Sequence, residues 1–221
     1  MSKQFALLLG AALALASAGP AGQPASAQPV IPYDSLMDAR VNVDGVIDNE
    51  EGPEYPATYS DKASGLTVNW GFDDSLIYVG LVTKGRGWLA IGFGSPTMSE
   101  SNVIIGYYTD DSTEVVNQIG GNHVHAGLPQ SDSVIRDAEI DYDDETGVTT
   151  MEFTYPLHFP AGTKLAIPGL APGGTYDVIL AQNTKSVSLD AKHTNLSALK
   201  VKLAEKPQVQ PPPAPPAKPK Q

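Results

Sequence analysis

Leu66-Thr67-Val68-Asn69-Trp70-Gly71-Phe72, then Asp73-Asp74-Ser75, then Leu76-Ile77-Tyr78-Val79-Gly80-Leu81-Val82: this stretch decides the fold. The first run alternates, which is the period of a strand with one face buried. Asp-Asp-Ser is turn chemistry. The second run is almost continuously apolar, as in a more deeply buried strand. Together they read as a hairpin.

The same pattern recurs outward in both directions. Strands are expected at 88–93, 103–108, 114–119, 138–142, 147–155, 176–182 and 197–203, where Leu199, Val201 and Leu203 share one face. Asp143-Asp144-Glu145-Thr146-Gly147 reads as a longer hairpin loop; it lacks the ligand spacing of a calcium-binding EF-hand and is expected to be a solvated turn. No long stretch has helical period. Short strands with turn signals at this spacing indicate an all-β sandwich.

Three segments differ in composition. Residues 1–27 have a basic start at Lys3, a small-and-apolar run from Phe5 to Ala18 and an Ala25-Ser26-Ala27 cleavage pattern, so they read as a secretory signal. The run is short and alanine-rich for a membrane span, and a cut after Ala18 also fits. Residues 30–204 are expected to form one domain, large enough for a real core. Residues 205–221 are proline-rich, which forbids a ladder and favours an extended tail. The expectation is an exported protein, periplasmic or extracellular, with no membrane span once the signal is removed.

The chain has no cysteine, which excludes disulfides, thiolate-held metal and covalent Cys-attached haem. With 25 acidic against 14 basic residues its formal net charge is −11. Nucleic acid is therefore a poor partner, and a basic protein surface a better one. No G-x-S-x-G elbow, H-E-x-x-H pair or phosphate loop is present, so a catalyst acting by itself is not the leading reading.

Four side chains carry possible ligand chemistry. Met98 follows Gly87-Trp88-Leu89-Ala90-Ile91-Gly92-Phe93-Gly94 and stands among serines, a proline and a threonine, which is loop rather than core composition. His193 stands alone ahead of the last strand. A thioether and an imidazole are one axial pair that holds haem iron. His123 and His125 form His-Val-His after Gly120-Gly121-Asn122; two strand residues so spaced share a face and could grip a metal together, or one could take the place of His193. His158 looks structural.

From Val43-Asp44-Gly45-Val46-Ile47-Asp48 through the Gly87–Gly106 block to His193, the sequence resembles the haem-binding branch of the DOMON family. The resemblance implies an immunoglobulin-like β-sandwich carrying non-covalent haem b, with Met98 and His193 as axial ligands and Trp88 and Phe93 against the cofactor. It implies single-electron transfer with an unidentified redox partner protein. Asn102 stands where the family often has aspartate, and Thr194-Asn195-Leu196 replaces an arginine-glycine. The family also has non-haem members, so a module binding carbohydrate or another small ligand is the alternative, with Trp70, Trp88, Tyr107 and Tyr108 as stacking surfaces. A scaffold role tethered through the proline tail is the third reading.

Overall fold

The computed structural model describes residues 28–208, apart from 51, 123, 129–132, 161–164 and 166. The expected signal segment, the end of the proline-rich tail and His123 lie outside these residues.

The nine expected strands all form, with ends moved by one or two residues. They are β3 (Thr67–Phe72), β4 (Leu76–Lys84), β5 (Trp88–Phe93), β6 (Asn102–Tyr108), β7 (Thr113–Gly120), β9 (Ala138–Asp143), β10 (Val148–Pro156), β11 (Thr175–Asn183) and β12 (Asn195–Leu203). Three short strands and one helical turn join them: β1 (Val30–Ile31), β2 (Ala57–Ser60), β8 (His125–Gly127) and α1 (Met37–Arg40). Two sheets result. One has seven strands in the order β1-β12-β11-β5-β6-β7-β8, the other five in the order β2-β3-β4-β10-β9. All pairings are antiparallel except β1 with β12.

The core lies between the sheets and follows strict alternation. Val68, Trp70 and Phe72 of β3 meet Ile77, Val79 and Leu81 of β4, Met151, Phe153 and Tyr155 of β10, and Leu89, Ile91 and Phe93 of β5. Polar side chains also bridge the layers. The Asn102 amide donates to the Tyr155 hydroxyl and takes a bond from Asn117, whose own oxygen accepts from the Val134 backbone. Towards the other end, Gln182 accepts from Thr83 and donates to the Ser64 carbonyl. Each member is paired, as buried polar groups must be.

Both sheets bury part of their outer faces as well. On the five-stranded sheet, residues 37–50 and 52–56 lie across β3, β4 and β10. Gly80 leaves space there, because a side chain would meet Ile47 and Tyr55. Glu152, fully buried on that face, accepts from the Tyr55 hydroxyl (2.7 Å) and the Gly45 N–H (3.0 Å). On the seven-stranded sheet, Trp88, Ala90, Val103 and Ile105 form a separate apolar cluster, joined by Tyr107, Val116, Ala181 and Leu189.

The Asp143 loop is the turn that its sequence indicates. Asp143 accepts from Glu145 N–H, Thr146 N–H and the Thr146 hydroxyl. Beyond residue 204 the chain still touches the sandwich: the Lys206 ammonium lies 3.1 Å from the Asp74 carboxylate.

Candidate functional site

Met98 sits on the loop between β5 and β6, and backbone bonds fix it. Its carbonyl accepts from Ser101 N–H (3.1 Å), Glu100 N–H reaches the Gly120 carbonyl (2.8 Å), and Gly120 N–H reaches the Ser101 carbonyl (2.9 Å). Glu100 takes φ 64, the only left-handed non-glycine among the described residues. Such a conformation costs energy and persists only where surroundings over-determine it. Gly120 makes the seat: a Cβ there would collide with the Met98 carbonyl and lie 3.0 Å from the Met98 Cγ. The thioether is therefore carried on the outer face of the seven-stranded sheet, above the end of β7.

His125 opens β8 and pairs directly with Gly120. Paired residues of an antiparallel ladder point to the same side, so its ring shares the face that holds Met98. Its Nδ1 meets the side-chain oxygen of Gln118, a nearly buried residue two positions before Gly120 on that face.

His193 is elsewhere. It lies in the 184–194 loop, which the Asn183 amide grips through the Lys192 carbonyl (2.8 Å) and the Trp88 indole N–H through the Ala191 carbonyl (3.1 Å). Thr194 N–H bonds the Gln182 carbonyl. Burial, and then the charge of Lys192, hold the His193 ring below the usual histidine range, so it is neutral near pH 7.

Register shows how far apart these groups are. Trp88 pairs with Asn183, and Phe93 pairs with both Val178 and Asn102. Gly120 follows Ile119, the partner of Asn102. Met98 thus stands at the Phe93 end of β5 and His193 at the Trp88 end. From Gly120 to Gln182 is about 16 Å along the strands, at about 3.3 Å per residue, and about 14 Å across three strand spacings. The 184–194 loop folds back from that end over the sheet, with Leu189 packed on the cluster of Trp88, Ala90, Val103 and Ile105. The two expected ligands flank the same apolar outer face, from opposite ends.

The aromatic expectations divide in the same way. Trp88 does lie on the outer face, at the His193 end. Phe93 does not: it points between the sheets and stacks on Tyr155 with ring centroids 5.2 Å apart. Alternation along β5 puts it on the side opposite Met98, so it belongs to the core. Trp70 is likewise core, 1% exposed and stacked on Tyr59. Tyr108 packs under Arg86, which also covers Tyr142 and pairs with Asp110. Tyr107 keeps a half-exposed ring. His158 forms only an isolated bridge to Gly169.

Among the described residues no group of three or more His, Cys, Asp and Glu side chains could hold a metal ion. Two clefts, of about 600 and 340 Å3, open around residues 38–54 on the other sheet, and neither is lined by Met98, His125 or His193. No helix of the described residues is long and apolar enough to cross a membrane. Reasoning from sequence alone missed Gln118 and Gly120. The only trace of them is the Gln-Ile-Gly-Gly run before the turn, which marks a hairpin but not what it seats.

No curated protein matches this chain. Several solved structures are similar to it at low identity. The cytochrome domain of Myriococcum thermophilum cellobiose dehydrogenase shares 18% identity at a TM-score of 0.45, covering 69% of this chain and 91% of that one. The cytochrome b domain of pyranose dehydrogenase from Coprinopsis cinerea shares 11% at 0.46, covering 66% and 86%. A family 9 carbohydrate-binding module from Caldicellulosiruptor kristjanssonii, in complex with cellotriose, shares 10% at 0.47, covering 87% and 100%. A family model matches residues 62–183, a stretch that includes Met98 and His125 and stops short of His193. That match takes in more than half of the sequence, and the chain belongs to the DOMON domain family.

Proposed function

We propose that this domain is exported, binds haem b without covalent attachment and exchanges single electrons with a partner protein. The observation that carries the reading is the presentation of Met98. A thioether on a loop fixed by three backbone bonds, two residues from the left-handed Glu100 and over a glycine seat, stands on a sheet face whose centre is apolar. Methionine as a mere gap-filler needs no such support. The donor chemistry fits haem: the face offers a thioether and imidazoles, and no cysteine competes. An iron held on both sides by protein atoms has no open position for substrate, so such a group supplies one-electron exchange rather than catalysis at the metal. The apolar cluster of Trp88, Ala90, Val103 and Ile105 would exclude water from one side of the macrocycle.

The test is an absorption spectrum. The mature protein, produced with haem supplied, should show a low-spin spectrum in reduced and oxidised forms. Met98→Ala should convert it to high-spin or lose the haem. A colourless protein that is retained on a polysaccharide column would overturn this reading in favour of a sugar-binding module.

A further inference from the structure

We infer that Asn183 is the positioning residue for His193: its side-chain amide closes the neck of the 184–194 loop and fixes the backbone from which the imidazole is presented. The inference rests on the haem reading above, with His193 as the axial imidazole that the family resemblance implies.

The loop leaves β11 at Asn183 and returns to β12 at Asn195. Asn183 holds both legs of it. Its amide oxygen accepts from Lys185 N–H (2.8 Å) and Ser186 N–H (2.9 Å) on the outgoing leg. Its NH2 donates to the Lys192 carbonyl (2.8 Å) on the returning leg. Turning the amide over would set oxygen against that carbonyl and NH2 against two N–H groups, so all three bonds agree on one orientation. The side chain is 7% exposed, where an unmade hydrogen bond is costly. Trp88 adds two more bonds: its main-chain N–H reaches the Ser186 carbonyl (3.1 Å) and its indole N–H the Ala191 carbonyl (3.1 Å). Gly87 lets the chain enter β5 beside the neck, where a Cβ would run into the Asn183 carbonyl.

His193 directly follows the gripped carbonyl. The Lys192 carbonyl lies in the peptide plane that also carries the His193 N–H. The next plane, which carries the His193 carbonyl, is held by Thr194 N–H donating to the Gln182 carbonyl (2.8 Å). Peptide units are planar, so fixing both planes fixes φ and ψ of His193 and the direction of its Cα–Cβ bond. Only the side-chain rotamer is left to choose. The anchor at Gln182 is backbone to backbone. The anchor at Lys192 depends on one side chain, that of Asn183.

Aspartate separates the two jobs of this residue. It would keep the acceptor for Lys185 and Ser186, and so the turn. It would set a negative oxygen against the Lys192 carbonyl, and so break the link to His193. Groups that orient a metal ligand without touching the metal are worth about ten- to a hundredfold in affinity.

The experiment is a cycle of variants on the haem-loaded protein, read by absorption spectra and by the rate of haem release to an excess of an apoglobin. Asn183→Asp should weaken the low-spin signal and speed release by at least about tenfold. His193→Gly supplied with free imidazole replaces the tethered ring by an untethered one. In that background Asn183→Asp should change release by less than about twofold, since no backbone then carries the ring. Asn183→Ala repeats both arms without the added charge, should the aspartate variant fail to fold. An unchanged release rate in the tethered protein overturns the inference. Equal acceleration in both backgrounds overturns it too, because Asn183 would then close the loop and nothing more. A His193→Ala variant that stays low-spin also overturns it and leaves the haem reading standing. Failure of the unmodified protein to take up haem ends both proposals.

Discussion

The outer face of the five-stranded sheet and that of the seven-stranded sheet are both partly buried, but by different means. On the smaller sheet, Met37, Val41 and Tyr55 close over Tyr78 of β4, and a buried carboxylate ties the cover down. Every polar group there serves the fold. On the larger sheet the cover is two loops from opposite ends, which bring Met98 and His193 to the face, while β8 adds His125. One face spends its polar chemistry on closure. The other carries a thioether and imidazoles beside an apolar cluster.

That contrast can be broken most sharply at Tyr55. Its ring is buried beneath the cover and its hydroxyl bonds Glu152. Tyr55→Ala should cost about 4 kcal/mol, measured by urea denaturation, from the lost aromatic volume and an unpaired carboxyl. It should also open residues 41–54 to protease while leaving the Met98 loop unaffected. A cost below about 1 kcal/mol would mean that the cover is not an integral part of the fold.

Acid sharpens the comparison next. Burial is the main cause that pushes Glu152 up to about 7, opposed by the Tyr55 hydrogen bond and assisted by the Glu54 charge. A carboxyl raised in the folded state adds stability that is complete below its unfolded pKa and is lost as pH rises through its folded one. Between about pH 5 and pH 8 the domain should therefore lose roughly 2–3 kcal/mol through this group. Glu152→Gln should flatten that slope, and an unchanged slope would remove Glu152 as its source.

The smallest effect belongs to the larger sheet. Trp88→Phe removes the indole bond to the Ala191 carbonyl. Global stability should fall by about 1 kcal/mol, but amide exchange in residues 184–194 should rise well beyond that in β5. Uniform exchange across both would show that the loop is held by something else.

Most of the sandwich is legible in sequence because burial on one side imposes a period of two. Val68, Trp70 and Phe72 announce their strand, as do Leu89, Ile91 and Phe93. The strands that escape notice are those without that signature. β2 alternates among alanine, threonine, tyrosine and serine. β8 spans three residues and ends in glycine. α1 is a single turn.

The site is harder to read, for a related reason. Met98 stands out locally, since a methionine in a Ser-Pro-Thr loop has no core to fill. What it faces depends on register between strands distant in sequence. The lone His193 looks equivalent to His125 in sequence, and only the register shows that one enters from the Trp88 end of β5 and the other from the Phe93 end. Phe93 shows the same limit from the other side: its place beside Gly94 suggests a cofactor wall, and the alternation of β5 turns it into the core. Glu152 reads as an ordinary outward polar residue of β10, and nothing near it in sequence says that Tyr55 will close over it.

The rim strand β9 has a consequence for how copies of this molecule meet. Its outward face carries Glu139, Asp141 and Asp143, opposite the buried Ile140, with Asp144 and Glu145 just beyond. A second copy adding itself there would bring like charges into register along the whole seam, and the repulsion outweighs what a few new backbone bonds return. The sandwich is thereby guarded at this rim against growing sideways into a ribbon of stacked neighbours.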